Sequence, residues 1–197
     1  MSFLLGLTGS IGMGKSTTAQ LFADRGCKVW DADGTVHRAY GENGAAVASI
    51  AKIAPSAVSQ GFVDRAKLRA LISQDAKLLP KLEAIIHPIV KKDREAFIAG
   101  NPGSILVFDI PLLFELNSAA DFDAVACVLS SPEVQKSRVL ARLGMTEEHF
   151  QMILSKQWPA EEKAARADYI IDTNSPETAA RAVDVILADI KKRQKDA

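Results

Sequence analysis

At 197 residues, with hydrophobic residues at 48% and charged residues at 24%, the chain has the size and composition of one compact globular domain able to fill a core. Lys plus Arg number 24 and Asp plus Glu number 24, so no overall field draws the protein to nucleic acid or to an acidic membrane. Any recognition of phosphate has to come from local clusters. Cys27 and Cys127 both sit among apolar neighbours, which suits buried thiols, and two cysteines cannot complete a tetrahedral zinc site unaided. The short apolar run at the start has no basic stretch before it. No segment approaches the roughly 20 apolar residues that span a bilayer, so a cytoplasmic protein is expected.

In chain order, Phe3–Thr8 is an apolar run that meets glycines at once, as a buried parallel strand entering a tight turn would. Lys15–Asp24 then reads as a helix with an apolar stripe of Ala19, Leu21, Phe22 and Ala23, stopped by Gly26. Lys28–Asp31 is a second strand ending in acids. Residues 35–99 read as mostly helical and run far longer than a simple crossover needs, so they are predicted to be an inserted substrate-covering region. Further strands are expected at 104–109, 124–129 and 169–172, with the clearest helices at 133–143 and 176–195. Residues 138–166, charged and broken by Pro159, form a candidate lid. Strands alternating with helices imply an α/β fold with a parallel sheet covered on both faces, its ligands at the carboxyl ends of the strands. The expected organisation is a single domain: core 1–34, 100–137 and 167–197, helical region 35–99, lid 138–166.

The sequence Gly9-Ser10-Ile11-Gly12-Met13-Gly14-Lys15-Ser16 matches the phosphate-loop pattern G-x-x-x-x-G-K-[ST] between a predicted strand and a predicted helix. Its glycines let backbone N–H groups curl around phosphate oxygens, and the helix that follows adds its positive end. Lys15 is expected to reach the β- and γ-phosphates of ATP and Ser16 to offer its hydroxyl to Mg²⁺, with Thr17 beside them. A glycine-rich turn could match by chance, but the strand–loop–helix context is also present.

Two acids stand out. Asp33, just past the second strand in Asp31-Ala32-Asp33, is a candidate to orient an attacking hydroxyl and accept its proton; capping a helix after Gly34 is its ordinary alternative. Asp109 ends the apolar strand 105–108, where an acid can hold Mg²⁺ directly or through water; otherwise it caps the turn at Ile110-Pro111. His37 and His87 are most simply read, from composition alone, as packed or surface histidines.

The order of these pieces carries more. Thr8-Gly9-x-x-Gly12-x-Gly14-Lys15-Ser16 precedes Asp31-Ala-Asp33-x-x-x-His37, Asp64-Arg65-x-x-Leu68-Arg69 and Ile86-His87-Pro88. Asp109-Ile-Pro-Leu-Leu-Phe-Glu115 and Ala167-Asp168-Tyr-Ile-Ile-Asp-Thr-Asn174 follow. That series resembles the dephospho-CoA kinase family over residues 5–174. The resemblance implies transfer of the ATP γ-phosphate to the ribose 3′-hydroxyl of dephospho-CoA, with Mg²⁺ as cofactor. It also implies a nucleoside-monophosphate-kinase-like fold with a five-stranded parallel core, and a monomer or small homo-oligomer. Asp33 then matches the acid near the acceptor hydroxyl and Arg65 an acceptor-holding arginine. His87 falls in the family's His-Pro element, and Thr8, Asp109 and Leu112 join the substrate-binding set. Arg138 and Arg142 lie in the lid-entry pattern Gln135-x-x-Arg138-x-x-x-Arg142, and their spacing of four predicts a shared helix face able to grip phosphates; a solvated basic face is the alternative. The chain departs from the family at 53–57, at Gln60-Gly61-Phe62 and at Trp158 in the lid.

Another small-molecule kinase, for a nucleoside monophosphate or shikimate, fits the loop and helical insert alone. A guanine-nucleotide switch fits less well, because Asn-Lys-x-Asp is absent.

Overall fold

A computed structural model describes residues 1–196, which leaves Ala197, the last position of the expected core, outside the described residues. The chain divides into two compact units: residues 1–30 together with the chain from Asn101 onward, and Asp31–Gly100.

The first unit is built on β1 (Phe3–Thr8), α1 (Lys15–Asp24) and β2 (Lys28–Asp31). The second unit then intervenes with α2 (Ala32–Tyr40), α3 (Val47–Ile53), β3 (Val58–Ser59), β4 (Phe62–Val63), α4 (Arg65–Gln74) and α5 (Leu78–Ala99). The chain continues through β5 (Ile105–Asp109), β6 (Ala124–Leu129), α6 (Pro132–Leu140), α7 (Glu147–Leu154), α8 (Ala160–Arg166), β7 (Tyr169–Asp172) and α9 (Pro176–Asp196). Five parallel strands form one sheet in the order β2-β5-β1-β6-β7. β1 is central, with Leu7 opposite Asp109 on one side and Thr8 opposite Cys127 on the other.

Both faces of this sheet are covered, which is why its strands read as unbroken apolar runs. On one face Leu5, Leu7, Val107 and Val128 meet Phe22 of α1 and Val183 and Ile190 of α9 in the main core. On the other, Leu113, Phe114 and Val125 pack with Phe122 and Trp158. The thiols Cys27 and Cys127 are free and buried; burial pushes Cys27 above the ordinary range and Cys127 up to about 11.

The second unit has a core of its own around Tyr40, Ile50, Val63, Leu68, Leu82 and Ile86. To the mostly helical expectation it adds a two-stranded antiparallel hairpin, Val58 opposite Val63 and Ser59 opposite Phe62. The two turn residues, Gln60 (φ 50°) and Gly61 (φ 79°), are both left-handed, as a tight hairpin turn requires. Such short strands leave no periodicity in the sequence. α2 starts at Ala32, so Asp33 and Gly34, expected with the core, group with the helical unit. The helix expected at 133–143 ends at Leu140.

No helix among the described residues is long and apolar enough to cross a membrane.

Because Phe22 is wholly buried in the main core, Phe22→Ala should lower unfolding free energy by about 3–5 kcal/mol, read from urea denaturation.

Candidate active site

β1 delivers the chain into the glycine loop at the carboxyl end of the sheet's central strand. The loop is backed on several sides. Gln135 of α6 is buried and its Nε2 donates to the Ile11 carbonyl at 2.7 Å. Thr173, just beyond β7, donates from Oγ1 to the Met13 carbonyl at 2.7 Å. From the segment between α7 and α8, Gln157 Oε1 accepts the Ile11 N–H at 3.0 Å. At Gly12 (φ 78°) a Cβ would stand 2.5 Å from Val139 Cγ2 and 3.0 Å from the Gln135 carbonyl, so both conformation and space demand glycine.

Lys15, the first residue of α1, places its ammonium on the carboxylate of Asp109, the last residue of β5. Both side chains are largely buried, and the register of Leu7 against Asp109 brings the acid alongside the strand that feeds the loop. Asp109 therefore anchors the phosphate-loop lysine, a role its alternative as a simple turn cap did not include. Ser16 and Thr17, in the first turn of α1, are exposed, and no hydrogen bond from either hydroxyl to the protein occurs among the described residues. Hydroxyl and carboxylate oxygens are the hard donors Mg²⁺ takes, and a site of few protein ligands completed by phosphate is usual for this ion. The residues present fit it. No cluster of three or more metal-binding side chains occurs among the described residues.

Arg138 donates to the Thr173 carbonyl at 2.6 Å and so leans on the same residue that supports Met13. Arg142 does not share its helix face. α6 stops at Leu140, Ala141 is its C-cap, and Arg142 stands exposed in the turn beyond. The local cause is tightening of the last turn: the Arg142 N–H bonds the Val139 carbonyl, three residues back, and the next turn follows from Met145 N–H to the Arg142 carbonyl. Thr8 precedes the loop at the end of β1. It is wholly buried, with Oγ1 donating to the Pro111 carbonyl at 3.2 Å, so its hydroxyl secures the loop after β5. Leu112 in that loop is exposed. The Ala167-Asp168 and Asn174 elements have structural duties: Asp168 accepts the Val125 N–H at 2.7 Å, and Asn174 Oδ1 accepts the Ser131 N–H at 2.8 Å.

In the helical unit, Asp33 lies exposed in the first turn of α2 while Asp31 holds the N-cap position, so Asp33 is not the cap. α2 is clamped to α5 by Arg38, whose Nη2 lies 3.2 Å from Asp93 Oδ1 and 2.9 Å from Thr35 Oγ1. Arg65 opens α4 and is exposed; its charge opposes the upward shift that burial imposes on the Tyr40 phenol. His87 is exposed on α5, beside the in-helix Pro88. Asp64 caps α4, accepting the Ala66 and Lys67 N–H groups at 2.9 and 3.0 Å. Gln135, Gln157, Thr173, Arg38 and Asp93 were not singled out for these contacts from sequence. Gln135 and Thr173 stood inside motifs quoted for the family resemblance, but not for these contacts.

A parallel sheet whose middle strand turns into this loop, with a lysine and an acid converging beside it and the segment between α7 and α8 bonded to its backbone, is the framework of a P-loop kinase. A sequence profile for dephospho-CoA kinase matches residues 3–179. The chain belongs to the dephospho-CoA kinase family. A dephospho-CoA kinase of Ruegeria pomeroyi is 52% identical over 191 residues, 97% of each chain. The crystal structure of TT1252 from Thermus thermophilus is 31% identical, covers 95% of this chain and 97% of that one, and superposes with a TM-score of 0.86. A dephospho-CoA kinase from Campylobacter jejuni shares the fold, with a TM-score of 0.72 at 24% identity over 98% of this chain and all of that one.

Gly12→Ala should weaken ATP binding at least about tenfold, measured by calorimetry, because the loop must shift to admit the methyl group. Hydrogen bonds from Lys67 and Ala66 hold the Asp64 carboxyl below its ordinary 3.8, so its stabilising contribution is present above that value and lost as pH falls through the lower, folded one. Asn at position 64 can cap but cannot titrate in this range. The melting-temperature difference between the unmodified chain and Asp64→Asn, followed from neutral pH into acid, should therefore shrink below about pH 4.

Proposed function

We infer that the chain transfers the γ-phosphate of ATP to the ribose 3′-hydroxyl of dephospho-CoA, giving CoA and ADP. The observation that carries this reading is the phosphate loop with Lys15 held at Asp109, set within a match to the family that spans residues 3–179. Membership of that family counts against the nucleoside-monophosphate and shikimate acceptors that the loop alone allows.

The loop amides and the N-terminal end of α1 would receive the triphosphate, with contacts from residues 9–17. Lys15 would exchange its carboxylate partner for β- and γ-phosphate oxygens, a shift of one ammonium between two anions that leaves it paired throughout. Ser16 and Asp109 would hold Mg²⁺, partly through water; when bound, the ion neutralises charge on the β- and γ-phosphate oxygens. Asp33 would orient the 3′-hydroxyl and take its proton as the new P–O bond forms. Arg65 and His87 would supply acceptor contacts from the helical unit, and Leu112, exposed in the loop after β5, would supply an apolar one. Arg138 and Arg142 supply positive charge from the lid entry. Arg142, exposed and outside α6, has the freedom to reach the transferring group, whereas Arg138 is engaged at Thr173. Lid closure would exclude water so that transfer outruns hydrolysis.

The test is formation of CoA from ATP and dephospho-CoA by the purified protein, beside AMP, CMP and shikimate as acceptors. A clear preference for any of the other three would overturn the reading. Asp33→Asn should lower kcat by about 10²-fold or more, as expected for loss of a general base, while ATP affinity stays within about threefold. Near-normal turnover in this variant would remove Asp33 from the role. Lys15→Met should lower kcat by about 10²–10³-fold and weaken ATP binding as well.

A further inference from the structure

One fully buried charge has no part in the reaction as described so far. Lys163, on α8, has no exposed surface; its Nζ donates to Glu115 Oε1 at 2.8 Å and to the Pro111 carbonyl at 3.1 Å. Burying an ammonium is unfavourable unless it is paired and hydrogen-bonded, and an apolar side chain would usually serve stability as well. What the pair secures is therefore a matter of position. Glu115 Oε1 also accepts the Trp158 N–H at 2.9 Å. The Trp158 ring stacks near-parallel to Phe114, 9° apart with centroids at 6.4 Å, and the Arg166 guanidinium lies 4.6 Å from its centroid. Backbone and ring of Trp158 are thus held from several directions. The residue immediately before it is Gln157, whose Oε1 takes the N–H of the third loop residue, Ile11. A backbone N–H can only donate, so this contact fixes which end of the carboxamide faces the loop. Gln157 also lines a cavity of about 320 Å³ together with Ser10, Met13, Ser130, Gln135 and Trp158.

We propose that Gln157 is a positioning residue for phosphoryl transfer, latching the return segment of the lid to the phosphate loop through Ile11, and that the buried Lys163–Glu115 pair keeps it in register. The Ile11 peptide is gripped from both sides, its carbonyl by Gln135 and its N–H by Gln157. One grip comes from the core helix α6 and the other from the lid. Releasing the lid grip frees the loop entrance and lets the lid stand off, so transfer slows and water gains access to the γ-phosphate. The inference rests on the kinase reaction proposed above.

The test uses the full chain with saturating ATP and Mg²⁺ and dephospho-CoA varied up to saturation, recording CoA formed and ADP formed in parallel. Gln157→Met keeps length and removes the acceptor. It should lower kcat about tenfold or more and raise ADP released per CoA formed, with the KM for dephospho-CoA within about twofold and the melting temperature little changed. Lys163→Met paired with Glu115→Gln removes both charges, so no lone ion is left buried if Lys163→Met alone fails to fold. This double variant should show the same slowing and uncoupling, and adding Gln157→Met to it should cost less than about twofold more. Turnover of Gln157→Met within about twofold of the unmodified chain, with ADP and CoA still equal, would overturn the latch. Losses that multiply across the variants would overturn the link to Lys163. An unmodified chain that made no CoA would sink the kinase reading instead, which keeps the two failures apart.

Discussion

Pairing of β1 on both edges sets the geometry of everything around the phosphate loop. A strand hydrogen-bonded to β5 and β6 cannot slide without breaking two ladders, so the point where Thr8 gives way to Gly9 is fixed relative to Asp109 and Cys127. The loop then closes over a frame that already satisfies much of its backbone: Gln135 and Gln157 on the two sides of the Ile11 peptide, Thr173 under Met13. Amides aimed before a ligand arrives need little reorganisation when charge develops on it, and that is the main resource a phosphoryl-transfer site has. The Lys15–Asp109 pair extends the same logic to charge, since the ammonium is held largely out of water by an acid one strand away.

The helical unit solves a different problem. Its own core lets α2 be held by internal contacts, with Arg38 and Thr35 of α2 gathered on Asp93 of α5. Asp33 is therefore carried on an element whose orientation is set by a polar clamp, while Arg65 begins a helix whose start is fixed by the Asp64 cap. Both exposed side chains stand on backbone held by polar contacts. Buried contacts beneath them do the holding.

Much of this was legible in the residues because the strongest signals are local. Apolar runs meeting turn residues marked all five strands of the sheet. The phosphate loop announced itself by spacing, and its context of strand and helix is where the structure puts it. What the residues do not reveal depends on tertiary partners or on very short elements. The hairpin at 58–63 is too brief for a period, and Gln60 is an unusual occupant of a left-handed turn position. Arg138 and Arg142 look like one helical face only if α6 runs through 143; it ends at Leu140, and a spacing of four says nothing once the helix is over. Thr8 precedes the loop in sequence, yet alternation along the strand turns its side chain inward to Pro111. Lysine is a surface residue by default, so nothing in the sequence around Lys163 signals a buried ammonium; only the pairing with Glu115, distant along the chain, makes it tolerable.

The burial of both cysteines acquires a meaning from the chemistry of the acceptor. Dephospho-CoA and CoA each end in a free thiol, and an enzyme that handles such molecules is exposed to mixed-disulfide formation whenever the pool is partly oxidised. Exchange proceeds through a thiolate that can reach its partner. Cys127 is denied both conditions, being enclosed in β6 with its ionisation pushed up to about 11, and Cys27 is buried with its ionisation likewise raised. Among the described residues, then, both thiols of the protein are sheltered from exchange with the sulfur that its own reactant carries.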